Sequence, residues 1–296
     1  MPRSLPLPIL AALLAVALLS LMDALMKGAS LAIGAYSAAF LRAAVGLAVI
    51  APVWLARGGR WPEPRVLRVH LLRGVAGSFM ALTFFYALTK LPLAETIAIS
   101  FIAPVVALYL AAIFLGERIR REAILAALLG LVGTMIIVGG KFGHEPMEED
   151  ALWGLASILV SALLYAANLV ISRHQAQLAD PLEISAFHSG VSAAVLGLAA
   201  PWLLRLPDGP TALLIGGSAL LTVTGMIAFA YAYARAEAQV LVPMEYSGFL
   251  WASAFGWLFF AEHVTATTVL GTALIVFGCW LAARRRGPEA PEQLAV

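Results

Sequence analysis

Residues 5–26 read LPLPILAALLAVALLSLMDALM, an unbroken apolar stretch whose one charge is Asp23. At about 1.5 Å of rise per residue, a helix needs roughly 20 mainly apolar residues to cross a bilayer. This stretch is long enough to do so. Gaps between charges along the rest of the chain predict nine further spans. The second covers residues 34–56 and carries Arg42. The third lies between Arg73 and Lys90, the fourth between Glu95 and Glu117, and the fifth between Glu122 and Lys141. The sixth to eighth lie between Asp150 and Arg173, Glu183 and Arg205, and Asp208 and Arg235. The ninth lies between Glu237 and Glu262, interrupted by Glu245, and the tenth covers residues 264–283. Spans three and five are short, so their ends must extend past the flanking charges.

Composition agrees. Of 296 residues, 62% are hydrophobic and 12% charged, about half the charged fraction of soluble domains. Mean hydropathy is +0.92. So few charges cannot cover the surface of a water-soluble protein of this size. Cys279 is the single cysteine, which excludes an intramolecular disulfide framework and a multi-cysteine metal site. A net charge of +2 argues against a nucleic-acid partner. The expected partners are the lipid bilayer and a small-molecule substrate, with the chain acting as a monomer and needing no cofactor. The first span resembles a signal peptide only superficially, because it is long and lacks a clean small-x-small cleavage site.

Lys and Arg set the expected orientation. With the N-terminus in the cytoplasm, fourteen of the 19 basic residues fall on that side. Four (Lys27, Lys90, Lys141 and Arg205) fall opposite, and Arg42 lies within a span. The positive-inside rule then places both termini in the cytoplasm and the acidic loop around Glu145, Glu148, Glu149 and Asp150 outside. Trp54 and Trp153 fall near the expected interfaces. The tail after Arg286 carries two prolines and is expected to lack a fold of its own.

Displacing the chain by 145 residues superposes landmarks: Asp23 on Asn168, Tyr86 on Tyr231, Lys90 on Arg235, Glu117 on Glu262, Ala126 on Gly271 and Gly133 on Gly278. Phe84-Phe85-Tyr86-Ala87-Leu88 parallels Phe229-Ala230-Tyr231-Ala232-Tyr233. A unit of five spans is odd, so its second copy must enter the bilayer in the opposite sense. Two such copies can build a pathway that opens to either side in turn around a site near the midplane. The expected fold is therefore an all-α polytopic membrane protein of ten transmembrane helices in two inverted five-helix repeats. Residues 5–141 form the first repeat, 142–150 the outer loop, 151–284 the second repeat and 285–296 a cytoplasmic tail.

Several stretches carry a family resemblance. They are Phe40-Leu41-Arg42-Ala43-Ala44-Val45-Gly46, Phe85-Tyr86-Ala87-Leu88, Ala103-Pro104-Val105, Leu115-Gly116-Glu117-Arg118, and Glu262 with Gly271 and Gly278. Over residues 8–284 the chain resembles the drug/metabolite transporter superfamily in its ten-span form with two EamA-type repeats. Within it, the chain is most similar to bacterial amino-acid and metabolite exporters, including the YddG type. The resemblance implies a basket of helices around a central cavity, with spans five and ten more peripheral. The halves depart from one another where gates would lie. Phe249 replaces the counterpart of Pro104, with Pro243 nearby, and Phe187-His188 stands where the first half has Arg42.

The candidate site residues follow from what a bilayer tolerates. Glu245 lies roughly 12 Å into span nine and is a functional candidate by default, for a substrate ammonium or a proton. A structural bond to backbone loosened by Pro243 is the equal alternative. Arg42 can hold a substrate carboxylate with its planar fork, or serve as the structural partner of Asp23 at similar depth. His188 can titrate near neutral pH or simply pack. Tyr86, Phe101, Tyr165, Tyr231, Tyr246 and Trp251, with Tyr109, can line a cavity for amphipathic or aromatic solutes, or face lipid. Ser100 and Asn168 are polar handles on either reading. Pro104 removes a backbone hydrogen bond in mid-span, which suits a gating helix or a static bend. Gly248, Ala252 and Gly256 make a small-residue face for close helix packing.

No His-Glu-x-x-His, Gly-x-Ser-x-Gly or Walker sequence occurs. His144-Glu145 reads as part of a solvated acidic loop, not a metal site. Without a nucleotide site, ATP does not drive this chain directly. The expected function is secondary transport of small metabolites, chiefly amino acids including aromatic ones, out of the cell across the inner membrane. An importer of nucleoside-like or sulfonium metabolites, or a non-transport membrane enzyme or assembly subunit, are the alternatives. A cysteine at His144, in a Cys279→Ser background, should react with an impermeant thiol reagent in intact cells. Labelling only after lysis would overturn the orientation.

Overall fold

The computed structural model describes residues 6–103, 106, 109–110, 113, 121–140, 149–175, 178–233, 235, 241 and 244–283. Pro104, Glu117, Pro243, the loop 141–148 and the tail from 284 lie outside them. The described regular elements are helices: α1 (Pro6–Ile33), α2 (Ala35–Ala56), α3 (Pro64–Lys90), α4 (Leu93–Ser100) and α5 (Arg121–Gly139). The second half holds α6 (Glu149–Gln175), α7 (Pro181–Gly197), α8 (Gly209–Tyr233), α9 (Gly248–Phe260) and α10 (Ala266–Ala283), with a helical turn at Ala200–Leu203. Among the described residues, α1, α2, α3, α6 and α8 are long and apolar enough to cross a bilayer, and α5, α9 and α10 contain shorter apolar stretches.

Turn chemistry sets the boundaries. Gly34 ends α1 at a φ of 87°, where a side chain would be strained, and its N–H reaches back to the Ser30 carbonyl at 2.9 Å. Pro64 opens α3 in its first turn, where the missing N–H is harmless. Asp180 caps α7, accepting from the N–H groups of Leu182 and Glu183 at 2.9 and 3.1 Å.

Two helices correct the reading from charges. Span one was expected to end at Met26, with Lys27 outside, but α1 continues to Ile33 and Lys27 is buried within it. Span three, read between Arg73 and Lys90 with ends that must extend past them, extends at one end only: α3 starts at Pro64, which puts Arg73 well inside the helix, and ends at Lys90. In both cases a charge that finds partners inside the protein does not mark the water boundary.

The described helices pack in pairs: α1 with α8, α3 with α6, α2 with α7, α5 with α10, and α4 with α9. This set is unchanged when the first five helices are exchanged for the last five. The break after α4, at Phe101–Ile102, recurs 145 residues later at Tyr246–Ser247, before α9. The rings of Phe101 and Tyr246 meet edge to face, 5.4 Å between centroids.

Small residues allow these approaches, because apolar faces gain little from each other in lipid and close contact must hold them. A Cβ on Gly133 of α5 would fall 2.5 Å from the Gly271 carbonyl oxygen of α10, and one on Gly271 only 2.4 Å from that of Gly133. Met26, Ala38, Phe85, Leu88, Leu93 and Ala252 fill one buried cluster, and Ile99, Ile137, Ile158 and Ile275 belong to another. Large apolar side chains such as Leu10, Leu131, Leu213 and Ile227 stand exposed on the outside, as a lipid-facing surface requires.

Gly133→Ala should therefore destabilise by about 1–3 kcal/mol, since a backbone oxygen cannot swing aside. Thermal unfolding of the purified protein in detergent measures it, with Gly139→Ala, which meets nothing within 4 Å, as the neutral control. Equal midpoints for the two variants would contradict the α5–α10 crossing.

Candidate functional site

Two charged networks clasp α3 near its ends. At one end Lys27 Nζ donates to the Leu91 carbonyl oxygen at 2.7 Å and pairs with Glu262 Oε1. Glu262 Oε2 accepts the Leu93 N–H at 2.7 Å. One ion pair thus ties α1, the α3–α4 link and the end of α9 together. The backbone bends to permit it. Ala261 is left-handed at a φ of 53°, and the Glu262 N–H reaches back to the Gly256 carbonyl oxygen at 3.1 Å. The Glu262 carboxylate then lies over Gly256, where a Cβ would come within 2.7 Å of Oε2.

At the other end, Arg73 of α3 donates Nε–H to Asn168 Oδ1 at 2.8 Å and NH1 to Gln175 Oε1 at 2.5 Å. Asn168 and Gln175 are two turns apart on α6 and share a face. Because Arg73 takes the Gln175 oxygen, the Gln175 amide nitrogen must be what faces His70 Nδ1 at 2.6 Å. Nδ1 is then an acceptor, and the His70 proton sits on Nε2, donated to Glu183 Oε1 of α7 at 2.9 Å. His70 also stacks on Phe187, 4.6 Å between centroids.

Between these networks lie the sequence candidates. His188 of α7 rests on Gly77 of α3. A Cβ there would meet His188 Cε1 at 2.5 Å and Asn168 Nδ2 at 3.4 Å, so glycine lets the two side chains converge. Arg42 of α2 lies over the Phe85 ring at 5.2 Å. Asp23 and Arg42 act on each other electrostatically, and His188 feels Arg42 and Arg73, but no ion pair joins Asp23 to Arg42. Arg42 Nε and His188 Nδ1 are sealed from solvent without a hydrogen-bond partner among the described residues.

The remaining candidates are distributed. Glu245 is exposed beside the break before α9, within electrostatic reach of Tyr165, which is itself 43% exposed. Ser100 donates to the Ile97 carbonyl oxygen at 2.7 Å, a local helical bond. Tyr86 lines an open cleft of about 480 Å³ with Tyr36, Thr83, Ser157 and Arg205. Tyr231 carries Arg235 over its face at 3.8 Å, and Trp251 stacks on Phe255 at 6.1 Å. Sequence reasoning did not single out Lys27, His70, Arg73, Gln175 or Glu183 for the site. Arg73 had a usable signal, since a helix opened by Pro64 puts it nine residues inside.

Apolar exteriors around partnered internal charges define a multi-pass membrane protein. No group of His, Cys, Asp and Glu among the described residues can hold a metal ion. The EamA-like transporter family matches twice, over residues 6–139 and 152–284, and the chain belongs to that family, within the drug/metabolite transporter superfamily. The pseudopaline exporter CntI of Pseudomonas aeruginosa (strain UCBPP-PA14) is 29% identical over 294 residues, 94% of this chain and 96% of its own length. A riboflavin transporter of Rhizobium johnstonii is 27% identical, covering 70% of this chain and 67% of that one. The aromatic amino acid exporter YddG of Ancylobacter novellus is 28% identical over 54% of this chain and 51% of its own. A solved crystal structure shares the fold at a TM-score of 0.63 and 23% identity, covering 94% of this chain and 98% of the other.

Lys27→Met would leave Glu262 facing α1 without its cation. Breaking a buried pair in this way costs about 3–5 kcal/mol. The double variant Lys27→Met/Glu262→Gln keeps an acceptor for the Leu93 N–H and should recover part of the loss. Denaturation of the wild type, Lys27→Met, Glu262→Gln and the double variant in detergent tests this, and additive losses would deny the coupling.

Proposed function

We propose that this chain is a secondary transporter that moves small metabolites, chiefly amino acids including aromatic ones, out of the cell across the inner membrane. Its ten spans form two inverted five-helix repeats with both termini cytoplasmic, and it works as a monomer by alternating access. The observation that carries the reading is the interior group of Asp23, Arg42, Asn168 and His188, held on α1, α2, α6 and α7 around α3. Such groups are expensive inside a bilayer and belong to a substrate or ion path. Helix pairing that survives exchange of the halves supports the inverted repeat, since alternating access exchanges the roles of the two units. Relatives named as exporters favour the outward direction, and one named for aromatic amino acids favours that cargo.

Tyr165, Phe101 and Tyr246 are the aromatic walls of the proposed path, and Glu245 is the residue proposed to meet a substrate ammonium. Pro104 and Pro243 flank the two helix breaks in sequence and are the residues proposed to bend during the cycle. The gradient that drives export is a substrate or proton gradient.

Purified protein in liposomes, tested by counterflow with labelled L-phenylalanine, L-leucine, riboflavin and uridine, decides the cargo. Exchange of the two amino acids above that of empty liposomes is expected. Exchange of uridine or riboflavin with neither amino acid would move the assignment to nucleoside-like solutes, and no exchange of any solute would count against amino-acid transport.

A further inference from the structure

Among the described residues, Arg42 and His188 each carry a sealed side-chain nitrogen without a hydrogen-bond partner. A buried N–H without an acceptor is rare, and in a charged guanidinium it is costly. Arg42 Nε has none, and among the described residues the side chain makes no hydrogen bond at all. Its one close contact is the face of Phe85, which fixes the guanidinium without using its donors. Across from it, on α7, His188 Nδ1 is likewise sealed and unbonded. The ring cannot swing away freely, because its Cε1 edge lies on the bare backbone of Gly77. Gly46, one turn along α2 from Arg42, lies against Ser189, the neighbour of His188, where a Cβ would meet the Ser189 Oγ at 3.1 Å, and Arg42 acts electrostatically on His188; an unfilled guanidinium donor and an unfilled ring nitrogen from different helices thus share one locality.

Asp23 is the obvious internal partner, and it does not take the role. It acts on Arg42 electrostatically from α1 without closing an ion pair, which leaves the guanidinium fork open. The charges facing the locality are then Asp23, Arg42 and Arg73, and Arg73 is already committed to Asn168 and Gln175. An occupant must bring acceptors in a plane that fits a guanidinium, carry one negative charge, and leave room for a third donor. A carboxylate meets those terms, because Arg binds it through two parallel bonds and His Nδ1–H can reach its free lone pair.

The geometry points to a carboxylate-binding site formed by Arg42 and His188, with Phe85 as the platform for the guanidinium. The site rests on the transport reading for its physiological occupant and specifies which end of that solute is recognised. Arg42 and His188 are binding residues, and Phe85 and Gly77 are positioning residues.

Binding, rather than flux, tests it. L-phenylalanine, 3-phenylpropionate (no ammonium) and phenethylamine (no carboxylate) are titrated into the purified full chain in nanodiscs by calorimetry. Both carboxylates should bind, and phenethylamine should bind at least about tenfold more weakly, the worth of a charge-assisted pair. Arg42→Gln should remove that preference, and Arg42→Lys, which keeps the charge and loses the fork, should weaken the carboxylates about tenfold. His188→Leu should weaken them several-fold. If Arg42→Gln does not fold, the three wild-type titrations and Arg42→Lys still decide. Phenethylamine binding as tightly as L-phenylalanine, carboxylates unaffected by Arg42→Lys, or no carboxylate binding at millimolar concentration would each overturn the site. Liposome exchange that shows no carboxylate preference would overturn it while leaving transport standing, and carboxylate binding without exchange would do the reverse.

Discussion

A charge that enters a helical bundle in a bilayer leaves water behind and must find its counter-charge within the protein. That constraint organises this molecule. Lys27 satisfies it by drawing Glu262 back from the end of α9, and the surrounding backbone follows. A left-handed alanine costs on the order of 1–3 kcal/mol. Ala261 accepts that conformation, and Gly256 gives up a side chain, so that the carboxylate lies where the ammonium needs it. The Glu262 carboxylate also takes the first free N–H of α4, a donor that no helical carbonyl can reach. One pair therefore fixes the angle at which three elements meet.

The same constraint makes α3 the spine of the fold. His70 and Arg73 are bonded to α6 and α7, Gly77 receives His188, Phe85 supports Arg42, and Leu91 receives Lys27. From His70 to Lys90 the helix rises about 30 Å, the thickness of the hydrocarbon core. The amide of Gln175 shows how tightly one network is specified. Its oxygen belongs to Arg73, so its nitrogen must face His70, and that decides which ring nitrogen of His70 carries the proton. A change at Arg73 would be felt at Glu183 through three side chains on three helices.

Much of this was legible in the sequence, and the remainder was not for a definite reason. Hydropathy placed α2, α6 and α8 to within a few residues, because Arg57, Asp150, Asp208 and Arg235, which bound them, are exposed. It ended span one too early and left the start of span three unplaced beyond Arg73, because Lys27 and Arg73 are charges that find partners inside the protein. Their partners lie far along the chain: Glu262 is 235 residues from Lys27 and Asn168 is 95 from Arg73. No local pattern reports such a pairing. Asp23, Arg42, Asn168 and His188 were recognisable as candidates because an ionisable or amide group inside a span is conspicuous against its neighbours. His70 and Gln175 were not, since the charges flanking span three did not say how far beyond Arg73 the helix begins. The 145-residue offset contained more than was taken from it, for it also relates Phe101 to Tyr246, which touch at the two helix breaks.

Arg42 and Arg73 make the clearest internal comparison. They are the same residue type, both lie inside helices, and both feel His188. Arg73 places Nε and NH1 on two amide oxygens held two turns apart on one helix, a fit that leaves it anchored. Arg42 rests on an aromatic face with its Nε–H unpaired and a carboxylate near but not bonded. If the role of both were to hold helices together, Asp23 would close on Arg42, since a buried pair at bonding distance is far better than one held apart. The separation is therefore informative. A guanidinium fixed from below with its fork open is prepared to receive acceptors from outside the chain. In this molecule the unpaired donors, more than the paired ones, mark where a solute belongs.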